Sequence, residues 1–449
     1  MMQATVIGAG LAGSEAAWQL ACRGIPVTLL EMKPAHFSPA HRYAGFAELV
    51  CSNSLKAQRL DSAAGLLKEE MRRLGSVCLA AADHHRVPAG GALAVERVGF
   101  SDEVTKAIQS HPLITVEEKM VEEIPEGTVI LATGPLTQGK LAQSIGRLVD
   151  QQRLAFFDAA APIVSGESVD TSIAFYASRY GKGDGEDYLN CPMNKEEYEA
   201  FYQALVEGER APLSEEDQKQ FTVYEGCMPI EVMARRGKDT IRFGPMKPVG
   251  LTDPRTGHRP WAVLQLRRED PEGKLYNLVG FQTNLKFGEQ KRIFSMIPGL
   301  ENAEFYRYGV MHRNTFLDSP RLLEPDFSLR KDPRIFFAGQ ITGVEGYMES
   351  AASGLLAGLH LARRLQQQAP TLPPETTMIG ALSRYVSRYP GKDFQPMGSN
   401  MGILPSLEHP VRDKRLRYQA LADRSLKDLA DWMALQHIDP ALAEDGMRE

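Results

Sequence analysis

The sequence has no apolar run of about 18 residues, the length that a membrane-spanning helix needs. It also has few cysteines, which are odd in number and widely spaced: Cys22, Cys51, Cys78, Cys191 and Cys227. This pattern argues against a disulfide scaffold and contains no Cys-x-x-Cys pair for a metal or for redox chemistry. We therefore expect a cytoplasmic protein with no membrane segment, in which any functional cysteine acts singly.

The motifs H-E-x-x-H and G-x-S-x-G are missing, and no cluster of metal ligands is visible, so neither a metal site nor serine-hydrolase chemistry is indicated. The net charge of −6 hides an uneven distribution. Residues 232–313 hold fifteen Lys and Arg against eight Asp and Glu, a local charge of +7 that leaves −13 for the remainder. Such a region can present cations to phosphate groups although the whole chain is acidic.

Aromatic residues interrupt this basic region, which is typical of proteins that bind RNA loops by phosphate contacts and base stacking. The candidate RNA-binding residues are Arg235, Arg236, Arg242, Arg267 and Arg268, with Phe243 and Trp261 between them. A solvated surface would have the same composition, so the residues alone leave both interpretations open.

The clearest motif is at the beginning of the chain. Gly8, Gly10 and Gly13 form a G-x-G-x-x-G between an apolar run and an alanine-rich helix, and a second apolar run ends at Glu31. The glycines allow the backbone N–H groups to approach a pyrophosphate, and the acid is placed to accept hydrogen bonds from a ribose. We therefore predict a dinucleotide site; the alternative is a glycine turn kept only for packing a helix on a strand.

Two further glycine turns follow apolar runs, at Thr133–Gly134 and at Gly339–Gly346. Three turns suit FAD better than NAD, because the larger dinucleotide lies along the sheet edge and contacts several strand ends. No second G-x-G-x-x-G is present. A nicotinamide cofactor would then bind transiently, without a Rossmann unit of its own.

The predicted fold is α/β, with a Rossmann-like FAD-binding domain built on a parallel sheet and an inserted α+β domain. We expect the first part of the FAD-binding domain at 1–165, the basic, RNA-facing insertion at 166–309, and the second part, with C-terminal helices, at 310–449. Strand-like runs in the insertion are Gln220–Tyr224, Thr240–Phe243, Trp261–Leu266 and Leu275–Phe281.

Cys51 and Cys227 lie at strand or loop junctions beside polar residues and glycine. Either is a candidate nucleophile, although a lone cysteine is more often structural. From the residues alone this choice stays open.

Five separated segments resemble one family of enzymes: VIGAGLAGSEAAWQLA, LVCSNSLK, EGCMPIE, MHRNTFL and FFAGQITGVEGYMESAASGLLAG. They resemble the TrmFO family of folate- and FAD-dependent tRNA (uracil-54-C5) methyltransferases and, more distantly, the GidA flavoproteins that modify the wobble uridine of tRNA. The resemblance runs over essentially the full length. It implies methylation of uridine 54 in the tRNA T-loop, with 5,10-methylenetetrahydrofolate as carbon donor and FAD, reduced by NADH or NADPH, as reductant.

The resemblance also implies roles for individual residues. Cys227 would add to C6 of the uracil, and Cys51 would lie near the flavin and assist methylene or proton handling. His312 would stack on the folate, although a structural histidine fits equally well. The FAD-binding residues would be Gly8, Ala9, Gly10, Leu11, Ala12, Gly13, Glu31, Lys33, Thr133, Gly134, Gly339, Gln340 and Thr342.

Three other functions are compatible with the residues. The same chemistry on a ribosomal RNA uridine is the nearest alternative, because no residue specifies uridine 54. A plain FAD oxidoreductase and a non-catalytic flavin-bearing RNA-binding protein are the others. The sequence does not determine the oligomeric state.

Overall fold

The computed structural model describes residues 3–150, 153–181, 185–212, 228–392 and 394–438. The strands in this part of the chain are β1 (Ala4–Ile7), β2 (Val27–Glu31), β3 (Ser54–Ala57), β4 (Arg86–Val87), β5 (Ala92–Val95), β6 (Ile114–Glu118), β7 (Thr128–Leu131), β8 (Arg153–Ala159), β9 (Ile163–Ser165), β10 (Phe175–Tyr176), β11 (Tyr188–Met193), β12 (Ala262–Arg268), β13 (Leu275–Leu278), β14 (Phe305–Arg307), β15 (Met311–Leu317) and β16 (Ile335–Phe337).

The helices in the same ranges are α1 (Leu11–Ala21), α2 (Ala63–Arg73), α3 (Val77–His84), α4 (Arg97–Ser110), α5 (Gly139–Leu148), α6 (Lys195–Glu207), α7 (Ile230–Ala234), α8 (Thr240–Phe243), α9 (Phe287–Phe294), α10 (Ser319–Leu322), α11 (Tyr347–Leu365), α12 (Met378–Arg388) and α13 (Lys414–Leu435). None of the described helices is both long and apolar enough to cross a membrane.

A five-stranded parallel sheet, in the order β16-β7-β1-β2-β6, forms the centre of the larger core. Strands β1, β2, β7 and β16 are mainly apolar and buried, as expected for a parallel sheet, whereas the outer strand β6 ends in two exposed residues, Glu117 and Glu118. Helix α1 packs closely on α11: a Cβ at Gly354 would lie 2.0 Å from the carbonyl oxygen of Ala12, and one at Gly358 would lie 2.6 Å from that of Ala16. The predicted α/β fold with a parallel sheet is confirmed.

A second sheet is antiparallel, six-stranded and ordered β10-β11-β12-β13-β9-β14. It has a separate core, in which the ring of Phe281 stacks at 6.0 Å on Phe201 and meets Phe294 edge-on at 5.4 Å. Because β9 begins at Ile163, this sheet starts a few residues before the predicted insertion, whose boundaries stay a prediction.

Two of the strand predictions in the insertion correspond to β12 and β13, within a few residues at their ends. The strand prediction at Thr240–Phe243 is wrong, because this segment is the short helix α8, which places Ile241 in the core between two glycines, Gly237 and Gly244. The segment Gln220–Tyr224 lies outside the described residues.

Strands β8 and β15 connect the two sheets as an antiparallel pair in which Ala159 lies opposite Met311. The chain therefore passes twice between the cores at one place. A small sheet in the order β3-β5-β4 carries the segment that begins with Ser54.

Candidate dinucleotide site and the Cys51 loop

The first glycine turn lies between β1 and α1, and its three glycines have different surroundings. Gly8 has φ +95°, and a Cβ there would lie 2.7 Å from the carbonyl oxygen of Ala132. A Cβ at Gly13 would lie 1.7 Å from the Gly8 oxygen, whereas one at Gly10 would meet nothing within 4 Å. Packing therefore requires Gly8 and Gly13, while Gly10 borders open space at the start of helix α1, where a pyrophosphate is favoured.

Glu31, at the end of β2, is buried beside this turn. One carboxylate oxygen accepts a hydrogen bond from the Ala9 N–H at 2.6 Å, and the other accepts one from the Lys33 N–H at 2.9 Å. The ammonium group of Lys33 donates to the carbonyl oxygen of Tyr43 at 3.1 Å and to that of Gly45. Glu31 is therefore fixed at the glycine turn, whereas the ammonium of Lys33 holds the loop that follows β2.

The second turn begins at Thr133 and Gly134, directly after β7. The hydroxyl of Thr137 donates to the carbonyl oxygen of Gly134 at 2.8 Å and lies 2.6 Å from the hydroxyl of Thr133, with which it shares a second hydrogen bond. Since β7 is the sheet neighbour of β1, this turn lies beside the first one, and Gly8 contacts the residue before it, Ala132.

The third turn follows β16 and leads into helix α11. The Gly339 N–H donates to the Ser353 hydroxyl at 2.7 Å, and the Thr342 hydroxyl donates to the Gly339 carbonyl oxygen at 2.8 Å. The side-chain amide of Gln340 donates to Glu345 at 2.6 Å. All three turns therefore meet at the carboxyl edge of the parallel sheet, which is where nucleotides bind in such folds.

Cys51 belongs to a loop, residues 49–53, that we call the Cys51 loop. The N–H groups of Cys51 and Ser52 both donate to the hydroxyl of Tyr347, at 2.6 and 3.0 Å. The Cys51 sulfur lies 3.8 Å from the carbonyl oxygen of Ala159. Tyr347 is the first residue of α11 and is half-buried, and the desolvation of its hydroxyl raises the pKa of this group well above the ordinary range. The Cys51 loop is therefore attached directly beyond the third glycine turn.

Three arginines from distant elements hold the other face of the Cys51 loop. The contacts are Arg97 to the carbonyl oxygens of Leu49 and Cys51, Arg307 to that of Val50, and Arg267 to the side-chain oxygens of Ser52 and Asn53. The two Arg267 contacts both measure 2.7 Å. A loop that would otherwise be hydrated is thus bonded to guanidinium groups.

The predicted RNA-binding arginines have different environments. Arg267 is buried against the Cys51 loop, so grouping it with RNA-facing cations is wrong. Arg235 and Arg236 are exposed. Arg242 stacks on Trp261 with 3.9 Å between its guanidinium carbon and the ring centroid, and Arg268 lies 5.1 Å from the ring of Tyr176.

Two predicted site residues have no described side chain. Cys227 lies outside the described residues, and although the backbone of His312 forms part of β15, its side chain is not described. Three residues were missed by the sequence analysis as parts of the site: Arg97, Arg307 and Tyr347. Within the described ranges no group of three or more His, Cys, Asp or Glu residues could hold a metal ion.

The fold and the three converging turns define a dinucleotide-binding protein of the Rossmann class, with a cysteine loop at the edge of the site. The family model for glucose inhibited division protein A (GidA) matches residues 3–369. The methylenetetrahydrofolate–tRNA-(uracil-5-)-methyltransferase TrmFO of Heliobacterium modesticaldum is 58% identical over 434 residues, covering 96% of this chain and 98% of the relative. The TrmFO of Geobacter sulfurreducens is 56% identical over 431 residues, covering 96% and 98%.

A solved structure of Aquifex aeolicus GidA, in its form II crystal, superposes with a TM-score of 0.68 at 15% identity, covering 99% of this chain and 76% of that one. At this identity the match shows a common fold. The chain belongs to the GidA family and, within it, to the TrmFO proteins. The resemblance drawn from the sequence motifs is thereby confirmed.

Proposed function

We propose that this protein methylates C5 of uridine 54 in the tRNA T-loop, with methylenetetrahydrofolate as carbon donor and FAD, reduced by NADH or NADPH, as reductant. The name of the close relatives supports the reaction class and the folate donor. The observation that carries the proposal is the attachment of Cys51 to Tyr347, the first residue of the helix that follows the third glycine turn. A thiol at this edge suits chemistry on a base brought to a flavin.

The first turn fits the nucleotide end of FAD. Gly10 borders open space at a helix start, and Glu31 lies beside the same turn, where a carboxylate can accept hydrogen bonds from a ribose. At the other end, helix α11 begins after the third glycine turn, and the Cys51 loop is bonded to its first residue, Tyr347. The positive partial charge at the N-terminus of α11 would favour electron-rich atoms of the flavin ring. When bound and reduced, FAD supplies the two electrons that convert a methylene to a methyl group.

A cysteine thiolate is needed because uracil C5 is a poor nucleophile until a group adds to C6. The Cys227 thiolate would form a bond to C6, and the resulting electron pair at C5 would attack the folate-derived methylene carbon. Loss of the C5 proton to a base would then break the bond between this carbon and the nitrogen of its donor. The nitrogen leaves as an amine, and an exocyclic methylene remains on C5. Addition of hydride to this carbon and departure of the thiolate from C6 give 5-methyluracil. Cys51, at the cofactor edge, would assist the methylene or proton transfers.

The RNA would be held by the surface that we call the cationic surface: Arg235, Arg236, Lys238, Arg242 and Phe243. Its first three cations are exposed, and the Phe243 ring is 72% exposed. Cations and an exposed ring together suit phosphate contacts and base stacking. Uridine 54 must leave the folded T-loop to reach the site, and phosphate contacts on both sides would help to meet the cost of unstacking it.

A single assay tests the proposed reaction. Purified protein is incubated with NADPH, labelled methylenetetrahydrofolate and one of three RNAs: wild-type tRNA, tRNA with cytidine at position 54, or a ribosomal RNA fragment. We expect label only in the wild-type tRNA. Label in the ribosomal fragment would favour that substrate instead, and rapid NADPH oxidation without label would favour a plain oxidoreductase.

The nucleophile assignment is tested by Cys227→Ala, which we expect to abolish methylation while the yellow FAD stays bound. Cys191→Ala is the matched control because that thiol is fully buried in the second core, far from any predicted role. Methylation by Cys227→Ala at the control rate would contradict the assignment.

The role of the cationic surface is tested by the salt dependence of tRNA binding. The double variant Arg235→Gln/Arg236→Gln should reduce the slope of log Kd against log salt by about two, because two phosphate contacts are lost. Arg415→Gln, at a side chain that is 84% exposed elsewhere, is the control and should leave the slope unchanged. An unchanged slope in the double variant would mean that the cationic surface is only solvated.

A further inference from the structure

Three guanidinium groups surround the Cys51 loop; that of Arg267 is buried, and those of Arg97 and Arg307 are half-buried. Arg97 comes from α4, Arg267 from β12 and Arg307 from β14, and Arg97 pairs with the buried carboxylate of Glu269 at 2.5 Å. In the part of the chain that the structure describes, Glu269 is the one carboxylate that pairs with any of these three guanidinium groups. Burial of a cation without a paired anion is costly, so this arrangement calls for another negative group nearby.

The loop itself is held from both sides. The guanidinium groups donate to its carbonyl and side-chain oxygens, while the N–H groups of Cys51 and Ser52 donate to Tyr347. Beyond the loop, the buried ammonium of Lys68 donates to the carbonyl oxygens of Leu55 and Ala57, both at 2.7 Å. The loop on either side of Cys51 is thus held by residues from α4, β12, β14 and α11, and the segment beyond it by Lys68 of α2.

The other described cysteines show what burial does in the absence of such a cluster. Burial raises the pKa of Cys22 to about 12, although the neighbouring Arg23 opposes this shift, and it raises the pKa of Cys78 and of Cys191 well above the ordinary value. Cations close to a thiol act in the opposite direction, because they favour the thiolate. Among the described residues, the charged and titratable groups that act on Cys51 include Arg97, Arg267, Arg307 and Tyr347, and Glu269 is bonded to Arg97. The carbonyl oxygen of Ala159, 3.8 Å from the sulfur, opposes these cations because it accepts the proton of a thiol.

We propose that Arg97, Arg267 and Arg307 are positioning residues that hold the sulfur of Cys51 as a thiolate before RNA binds. The inference rests on the proposed function for its use, since a thiolate is the form of cysteine that bonds to carbon or accepts a proton. The thiolate supplies the missing negative charge, and the arginines, bonded to the backbone on either side, keep it at the cofactor edge.

The test is the pH dependence of alkylation. The FAD-bound enzyme, carrying Cys227→Ser, is treated with iodoacetamide from pH 5 to pH 10 without RNA or folate, and modification of the Cys51 peptide is followed by mass spectrometry. Arg307→Gln should raise the midpoint by about one pH unit, and Glu269→Gln should lower it, because one removes a positive and the other a negative charge. A merely structural role would not shift the midpoint in opposite directions.

Two controls accompany these variants. Arg307→Lys keeps the charge and should keep the midpoint. Arg179→Gln changes a half-buried arginine that bonds to Gln265 of β12, away from the Cys51 loop, and should also leave it unchanged. FAD absorbance and a melting curve confirm folding for each variant. If Glu269→Gln fails to fold, the difference in alkylation midpoint between Arg307→Gln and Arg307→Lys tests the proposal by itself.

Equal midpoints for Arg307→Gln and Arg307→Lys would overturn the proposal, as would shifts of the same sign for Arg307→Gln and Glu269→Gln. Because alkylation needs neither folate nor RNA, this result is independent of the methylation assay. A low, arginine-dependent midpoint with no methylation would overturn the proposed function alone.

Discussion

The first glycine turn and the Cys51 loop lie at the same sheet edge but are held in different ways. Glu31 reaches the N–H of Ala9 across 22 positions of the chain. Tyr347 reaches Cys51 across 296 positions, and Arg267 reaches Asn53 across 214. The carboxylate contact of the turn is therefore local in the chain, whereas the loop acquires its shape only when both cores have formed. This difference predicts different responses to substitution.

The largest effect is expected at the turn. Gly13→Ala should lower stability by about 3 kcal/mol, because its Cβ would lie 1.7 Å from the Gly8 oxygen and the helix must move away from the strand. The measurement is the melting temperature of the FAD-free protein.

Gly10→Ala provides the matched variant. Its φ of −72° suits alanine and its Cβ would have no neighbour within 4 Å, so the FAD-free protein should melt normally. The new methyl group would occupy the space assigned to the pyrophosphate, and FAD should bind at least about tenfold more weakly. Normal FAD affinity in Gly10→Ala would place the cofactor elsewhere.

A smaller effect is expected at the Cys51 loop. Tyr347→Phe leaves two partly buried N–H groups, those of Cys51 and Ser52, without their acceptor and should cost about 2 kcal/mol in unfolding free energy. FAD should still bind, because the first turn does not depend on this hydroxyl. Tyr306→Phe, at a ring that is 72% exposed, is the control, and an equal loss in both variants would remove the case for a specific contact.

The same comparison explains what the sequence could predict. Gly8, Gly10, Gly13 and Glu31 follow a fixed local spacing, so the turn and the strands around it were predicted correctly. Arg267 was assigned to an RNA-facing surface because composition reports the charge of a segment and not which side of β12 a residue occupies. Arg97 and Arg307 carry no local signal at all, since what they contact is set by the tertiary fold.

The smallest effects are slopes of the unfolding free energy against pH, and the two regions should respond with slopes of opposite sign. Glu15, on α1 beside the first turn, is fully buried; burial raises its pKa from 4.5 to about 7, although hydrogen bonds from Ser76 and Cys78 oppose the shift. Lys68, which supports the segment after the Cys51 loop, is also fully buried, and burial lowers the pKa of its ammonium from 10.5 to about 7, against the attraction of Glu349.

Between pH 4.5 and about 7 the folded protein holds a proton at Glu15 that the unfolded chain has lost, so stability should fall as the pH rises. Between about 7 and 10.5 the unfolded chain holds a proton at Lys68 that the folded protein has lost, so stability should rise with pH. One titrating group contributes at most about 1.4 kcal/mol per pH unit to either slope. The unfolding free energy is measured by urea denaturation across this pH range. Glu15→Gln should make its fall with pH on the acid side less steep, and Lys68→Met should make its rise with pH on the alkaline side less steep. If either variant altered both slopes, the turn and the Cys51 segment would be one cooperative unit rather than two regions held by separate contacts.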